Sequence, residues 1–229
     1  MSRESTDDSL TPDSGLTTPD SRLVFITFEG TEGSGKSWQV RALVERLRAR
    51  DLPVLQTHEP GGTPLGDQVR QLVLLREDLD LSPHTEALLM NASRSQLVTQ
   101  VICPALERGE VVVCDRFADS TRAYQGAGRG LDVQALNSVI SFATADLEPD
   151  MTMLLDLPVE IGLARKHTQP GWNRFEAETL AFHERVRAAY RAMAHDDPQR
   201  WQCFDASRPP DELADHIWAA VAPRMGLES

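Results

Sequence analysis

Residues 30–37 read Gly30-Thr31-Glu32-Gly33-Ser34-Gly35-Lys36-Ser37, which satisfies the spacing G-x-x-x-x-G-K-[ST]. The glycines let the backbone turn tightly and aim successive N–H groups inward, where they can hold phosphate oxygens. The positive end of a following helix adds to the same field. Flanking residues supply that context. Leu23 to Phe28 reads as a buried strand, and Val40, Leu43, Val44 and Leu47 recur at helical spacing. Strand, loop and helix in that order make a site for a nucleoside triphosphate. Lys36 reaches its β- and γ-phosphates, and the Ser37 hydroxyl serves a Mg²⁺ ion.

The rest of the chain is consistent with one α/β domain built around that loop. Its 229 residues are 41% hydrophobic and 25% charged, enough to bury a sizeable core. Strand-like runs recur at residues 54–57, 110–114, 151–155 and 201–204, separated by helical patterns. That alternation predicts a three-layer fold, with a central parallel sheet flanked by helices. Residues 1–21 are rich in Ser, Thr, Asp and Pro and read as a disordered extension without an apolar signal-peptide core. Residues 22–229 form the expected domain. No apolar run is long enough to span a bilayer. The net charge of −12 argues against a nucleic-acid surface, so phosphate binding must come from local cationic clusters. Cys103, Cys114 and Cys203 lack metal-ligand spacing and suit a reducing cytoplasm, and the first two sit in apolar runs that favour buried packing.

In a parallel α/β sheet, chemistry gathers beyond the carboxyl ends of the strands, and four strand ends here carry it. After the 54–57 run comes "HEPGGTPLGDQVRQLVL", a turn entering a helix with Arg70. After "EVVVC" comes "DRFADSTRAYQGAGRG", where Asp115 can serve Mg²⁺ and Arg116 can clamp phosphate. After "MLLD" a helix leads to a Pro-Gly break carrying Arg165, Lys166 and Arg174, the composition of a cationic flap over about residues 165–176. After "WQCFDAS" comes "RPPDEL", read as a loop beside the adenine. A further amphipathic helix, "HTEALLMNASRSQLVTQVICPALERG", has Arg94 in its middle.

From about Leu23 to its end the chain resembles the bacterial thymidylate kinases. The motifs that carry the resemblance are "FEGTEGSGKS", "EPGGT", "DRFADSTRAYQG", "GLARK" with "NRFE", and "DAS". The resemblance implies transfer of the ATP γ-phosphate to thymidine monophosphate (dTMP), giving the diphosphate for DNA precursor synthesis. It also implies Mg²⁺ and a cytoplasmic homodimer that engages neither nucleic acid nor membrane. Carried over by position, Glu32 accepts from the deoxyribose 3′-hydroxyl, and Arg70 and Arg116 hold the acceptor phosphate. Thr121 and Gln125 lie at the thymine edge, Tyr124 crowds the ribose 2′ position, and Arg94 approaches a base carbonyl. Arg165 and Arg174 are the candidates for the transition-state arginine.

Several positions depart from the family pattern. Trp38 follows the Mg²⁺-binding serine where a small hydroxyl residue is usual, and its backbone N–H still serves the α-phosphate. His58 precedes "EPGGT" in place of arginine, and Met90 stands where an aromatic stacks on thymine. His167 and Gln169 occupy flap positions where arginines alternate. Two alternatives stay open at this point. One is a nucleotide-binding paralogue with little catalysis, acting as sensor or partner-binding protein, and the other is a kinase of a different nucleoside monophosphate.

Overall fold

The computed structural model describes residues 24–76, 78–168 and 173–227. The expected extension, residues 1–21, and the flap position Gln169 lie outside the described residues. Five strands form one sheet: β1 Phe25–Glu29, β2 Val54–His58, β3 Val111–Asp115, β4 Met151–Asp156 and β5 Trp201–Asp205. All neighbours run parallel, in the order β2-β3-β1-β4-β5. Each strand falls on its expected run but ends one residue later, β2 at His58 and the others at an acidic residue (Glu29, Asp115, Asp156 and Asp205), while β1 starts at Phe25 and β3 at Val111. Apolar side chains on both faces explain the run-like pattern, since a parallel sheet is covered on each side.

Helix α1 (Lys36–Arg48) and α2 (Pro64–Arg70) follow β1 and β2. Next come α3 (Pro83–Leu97), α4 (Cys103–Glu107), α5 (Ala118–Thr121) and α6 (Val133–Thr144). The series closes with α7 (Val159–His167), α8 (Leu180–Asp196) and α9 (Pro210–Arg224). Wider π-type turns at Val98–Ile102 and Arg122–Gly128 continue α3 into α4 and extend α5. On one face Val40, Leu43 and Leu47 of α1 pack with Ile217 and Val221 of α9 against Ile26 and Phe28. On the other, Leu97, Ile102 and Ile140 cover Phe25, Val112 and Cys114. A third cluster joins Tyr124, Phe175, Phe182 and Tyr190.

Two expectations need correction. "RPPDEL" is only in part a loop, because Pro210 opens α9, where its fixed φ and missing N–H suit a first helical turn. Of the two cysteines expected to be buried, Cys114 is, whereas Cys103 is only partly so, since it starts the short α4 near the surface.

The order of strands reverses between β1 and β3, which places a crevice at their carboxyl ends. The glycine loop leaves β1 there and packs against α7. A Cβ on Gly33 (φ 69°) would fall far inside van der Waals distance of the Gly162 carbonyl, and one on Gly162 would overlap the Glu32 carbonyl. Gly162→Ala therefore separates two forces. Helix propensity alone favours alanine by about 1 kcal/mol, while forced overlap costs about 1–3 kcal/mol. The net cost of up to about 2 kcal/mol should lower Tm by up to about 8 °C in thermal unfolding. A raised Tm would mean that loop and helix separate freely.

Candidate active site

The loop closes on its own lysine. Lys36 is only 8% exposed, and its Nζ donates to the carbonyls of Gly30 and Thr31 at 3.0 and 2.9 Å and to Ser34 Oγ at 3.2 Å. Loop oxygens therefore surround its ammonium group. Ser34 Oγ in turn donates to the Thr31 carbonyl at 2.8 Å. Gly35 caps α1 at φ 88°, which turns the helix N-terminus toward the loop. Glu32, Gly33, Gly35, Lys36, Ser37 and Trp38 wall a cleft of about 510 Å³.

Ser37 Oγ donates to Asp115 Oδ2 at 2.6 Å, joining the start of α1 to the end of β3 across 78 residues. Both are hard oxygen donors, as a divalent cation bound chiefly by phosphates requires. Among the described residues no group of three or more His, Cys, Asp or Glu forms a metal site.

Arg116 follows directly, with φ 73°, a backbone that side-chain-bearing residues seldom adopt. Its Nη1 donates to Ser120 Oγ (3.1 Å) and Tyr190 Oη (3.2 Å), and its Nη2 to Tyr124 Oη (3.1 Å) and Glu32 Oε1 (3.4 Å). The unusual turn is held by Glu29, which is fully buried. Glu29 accepts the Phe117 N–H at 2.8 Å, Ser120 Oγ at 2.6 Å and Tyr190 Oη at 2.8 Å.

Glu32 accepts from Tyr124 Oη and lies 3.2 Å from His183 Nδ1. Burial pushes its carboxyl up, but His183, Arg116, Lys36 and Tyr124 together carry it down to about 2. His183 is itself fully buried.

Farther along the cleft, Arg70 donates to the Pro60 carbonyl at 3.0 Å. Arg94 is the residue that the resemblance puts near a base carbonyl. It is buried and bound on every side: to Glu59 Oε2 through Nε (2.8 Å), to Asn91 and Thr121 through Nη1 (2.9 and 3.0 Å), and to the Phe117 carbonyl through Nη2 (3.1 Å). Burial pushes Glu59 up to about 7 although Arg94, 2.7 Å away, pulls it down. Thr121, Tyr124 and Gln125 stand on α5 and its π-type extension and line the cleft with Met90, Arg70 and Arg94. The wider turn spaces them differently from a plain α-helix, a device common at functional sites.

The flap residues separate. Arg165 Nη1 lies on the Ala206 carbonyl (3.1 Å) and the Gly33 carbonyl (3.4 Å), so the "DAS" turn holds it at the loop. Lys166 lines the cleft and pairs with Glu176 at 3.4 Å. Arg174 is drawn elsewhere, to Glu86 Oε2 (3.4 Å) and the Leu81 carbonyl (3.2 Å).

Sequence reasoning gave no role to Glu29, Glu59, Glu86, Ser120, His183 and Tyr190, although the first four fall inside stretches it singled out. One signal was legible: His183, Val186 and Tyr190 form a single face of α8 that mixes polar with apolar residues, and all three are buried.

A parallel sheet with a glycine loop and buried lysine at its switch point defines a protein of the P-loop NTPase fold. The family model described as thymidylate kinase matches residues 28–217. A thymidylate kinase from Thermomicrobium roseum is 54% identical over 202 residues, covering 88% of this chain and 95% of that protein. One from Deinococcus radiodurans is 50% identical over 204 residues, covering 89% and 98%. The crystal structure of the Ehrlichia chaffeensis thymidylate kinase superposes with a TM-score of 0.70 at 30% identity, covering 86% of this chain and 98% of that one. The chain belongs to the thymidylate kinase family.

Burial limits the pH range over which Lys36 carries its charge. Burial, then Arg116, carry its ammonium down to about 8, against Asp115, Glu32 and Glu29. Phosphate binds the protonated form. Below pH 8 the lysine already carries its proton, and above it binding must take one up. ATP affinity should therefore fall with rising pH above 8, by up to about tenfold per unit. Calorimetry at pH 9 in two buffers of unlike ionisation enthalpy should detect that proton uptake, and identical heats would refute it.

Proposed function

We propose that the cleft holds ATP on the β1–α1 loop and dTMP in the pocket beyond it, and transfers the γ-phosphate to give thymidine diphosphate. One observation carries this reading. Lys36 and Ser37 of the loop share a single cleft with Arg70, Met90, Arg94, Thr121 and Gln125, while Arg116 contacts both Glu32 of the loop and Tyr124 of the pocket.

Phosphoryl transfer leaves the protein little covalent chemistry, so its work is positioning and charge neutralisation. The loop N–H groups from Gly30 to Trp38 cradle the donor phosphates, and Lys36 leaves the loop carbonyls to pair with the β- and γ-oxygens. Ser37 and Asp115 would hold Mg²⁺, which neutralises charge on the donor phosphates. Arg116, hinged on Tyr190 and Ser120, exchanges its long contact with Glu32 for the acceptor phosphate, and Arg70 meets it from α2. Glu32, charged at every physiological pH, accepts from the 3′-hydroxyl, while the Tyr124 ring fills the space a 2′-hydroxyl needs. Of the flap cations, Arg165 is placed at the donor loop and Arg174 at the base end. Arg165 is therefore the flap arginine assigned to the transferred phosphate.

Nothing among the described residues favours a non-catalytic paralogue, since the charged groups that transfer needs converge on one cleft. No described helix is long and apolar enough to cross a membrane. A homodimer through α3 and α6 is supported by the exposed apolar side chains Leu88 and Phe142 on these two packed helices.

A coupled assay with ATP over a panel of nucleoside monophosphates tests the substrate. dTMP should give the highest kcat/KM, with deoxyuridine monophosphate, lacking only a methyl, used measurably less well. Higher values for purine or cytidine monophosphates would overturn the assignment.

A further inference from the structure

Gln125 is 2% exposed and borders the cleft. A primary amide has an acceptor end and a donor end, and whichever faces the ligand decides which base edge it can pair with. That choice is made from behind. Gln125 Nε2 donates to Glu86 Oε1 at 2.8 Å. Glu86 is fully buried in the first turn of α3, held by Arg129 Nε at 3.2 Å, Arg129 Nη2 at 3.1 Å and Arg174 Nη2 at 3.4 Å. Arg129 is anchored in turn by Glu178. A carboxylate fixed between two guanidinium groups only accepts hydrogen bonds. Turning the Gln125 amide over would set its carbonyl against that carboxylate, oxygen to oxygen, with no solvent to intervene.

We propose that Glu86 is a specificity-determining positioning residue. By holding the Gln125 NH₂, it makes Gln125 present a carbonyl oxygen to the base. Such an acceptor pairs with a pyrimidine whose ring N3 carries hydrogen, as in thymine and uracil. Against cytosine it meets the N3 lone pair and is left unpaired, and unpaired buried groups are what make hydrogen-bond discrimination strong. Thr121 has matching polarity: its hydroxyl accepts from Arg94 at 3.0 Å, so its own proton is free to be donated to a base carbonyl. The inference rests on the thymidylate reading above and adds how the base is chosen.

The test compares kcat/KM for dTMP with that for 5-methyl-deoxycytidine monophosphate, which keeps the methyl group and alters only the pairing edge. The wild-type protein should prefer dTMP at least 100-fold, and the absence of that preference would sink the thymidylate reading itself. Glu86→Gln offers an amide that can accept as well as donate, so Gln125 can turn, and the preference should drop at least tenfold. A merely structural role for Glu86 would lower both activities together and keep the ratio, and a smaller drop in a variant whose circular dichroism matches wild type overturns the proposal. If Glu86→Gln does not fold, wild type alone still decides. 3-Deazathymidine monophosphate, a 4-hydroxy-2-pyridone, removes N3–H and turns the O4 carbonyl into a hydroxyl without added bulk. At least a tenfold loss of kcat/KM relative to dTMP is expected, and equal use of the two would overturn the proposal.

Discussion

The site depends on one buried carboxylate that touches no substrate in this account. Glu29, at the last position of β1, ties the chain beyond β3 and the middle of α8 to the sheet through the Phe117 N–H, Ser120 and Tyr190. Burial and nearby Asp119 push its carboxyl up, and Arg116 opposes them. A group buried this far is tolerable only when it is hydrogen-bonded, and donors reach both of its oxygens. The Phe117 N–H alone serves Oε1, so losing it would leave that oxygen unpaired, at about 1–3 kcal/mol. What the clamp secures is the left-handed turn at Arg116, which re-aims a guanidinium from a strand end into the cleft.

From that clamp the distribution of charge follows. The chain carries −12 overall, yet Lys36, Arg70, Arg94 and Arg116 all wall one cleft. Each cation has an oxygen partner beside it: loop carbonyls for Lys36, the Pro60 carbonyl for Arg70, Glu59 for Arg94 and Glu32 for Arg116. Like charges can therefore be gathered without a ligand and without large repulsion. In the proposed mechanism an arriving phosphate exchanges partners at Lys36 and Arg116, while Arg94, bound on every side, stays fixed in the cleft wall.

Local patterns made much of this legible in the sequence. The phosphate loop, the five strands and the Asp115-Arg116 pair are contiguous motifs, and the structure brings Lys36, Ser37, Asp115 and Arg116 together as their spacing implied. Residues acting across long separations were not legible. Tyr190 reaches Glu29 over 161 positions and Gln125 reaches Glu86 over 39, and no local periodicity records such a meeting. A glutamate in a first helical turn, as Glu86 is, reads as a favourable dipole partner on an exposed face; here it is fully buried and holds Gln125, Arg129 and Arg174. Arg174 shows the converse. The stretch around it reads as a flap over the phosphates, but Arg174 pairs with Glu86 and the Leu81 carbonyl.

The central claim is that donor loop and acceptor pocket are two ends of one cleft joined at Arg116 and Glu32. Binding of adenosine and thymidine linked through five phosphates tests it most directly. If the ends are continuous, this molecule competes with both ATP and dTMP, at one site per chain, and binds far more tightly than either alone, because the second end engages without a second loss of translational freedom. Competition against only one of the two nucleotides, with affinity no better than that nucleotide's own, would contradict the account.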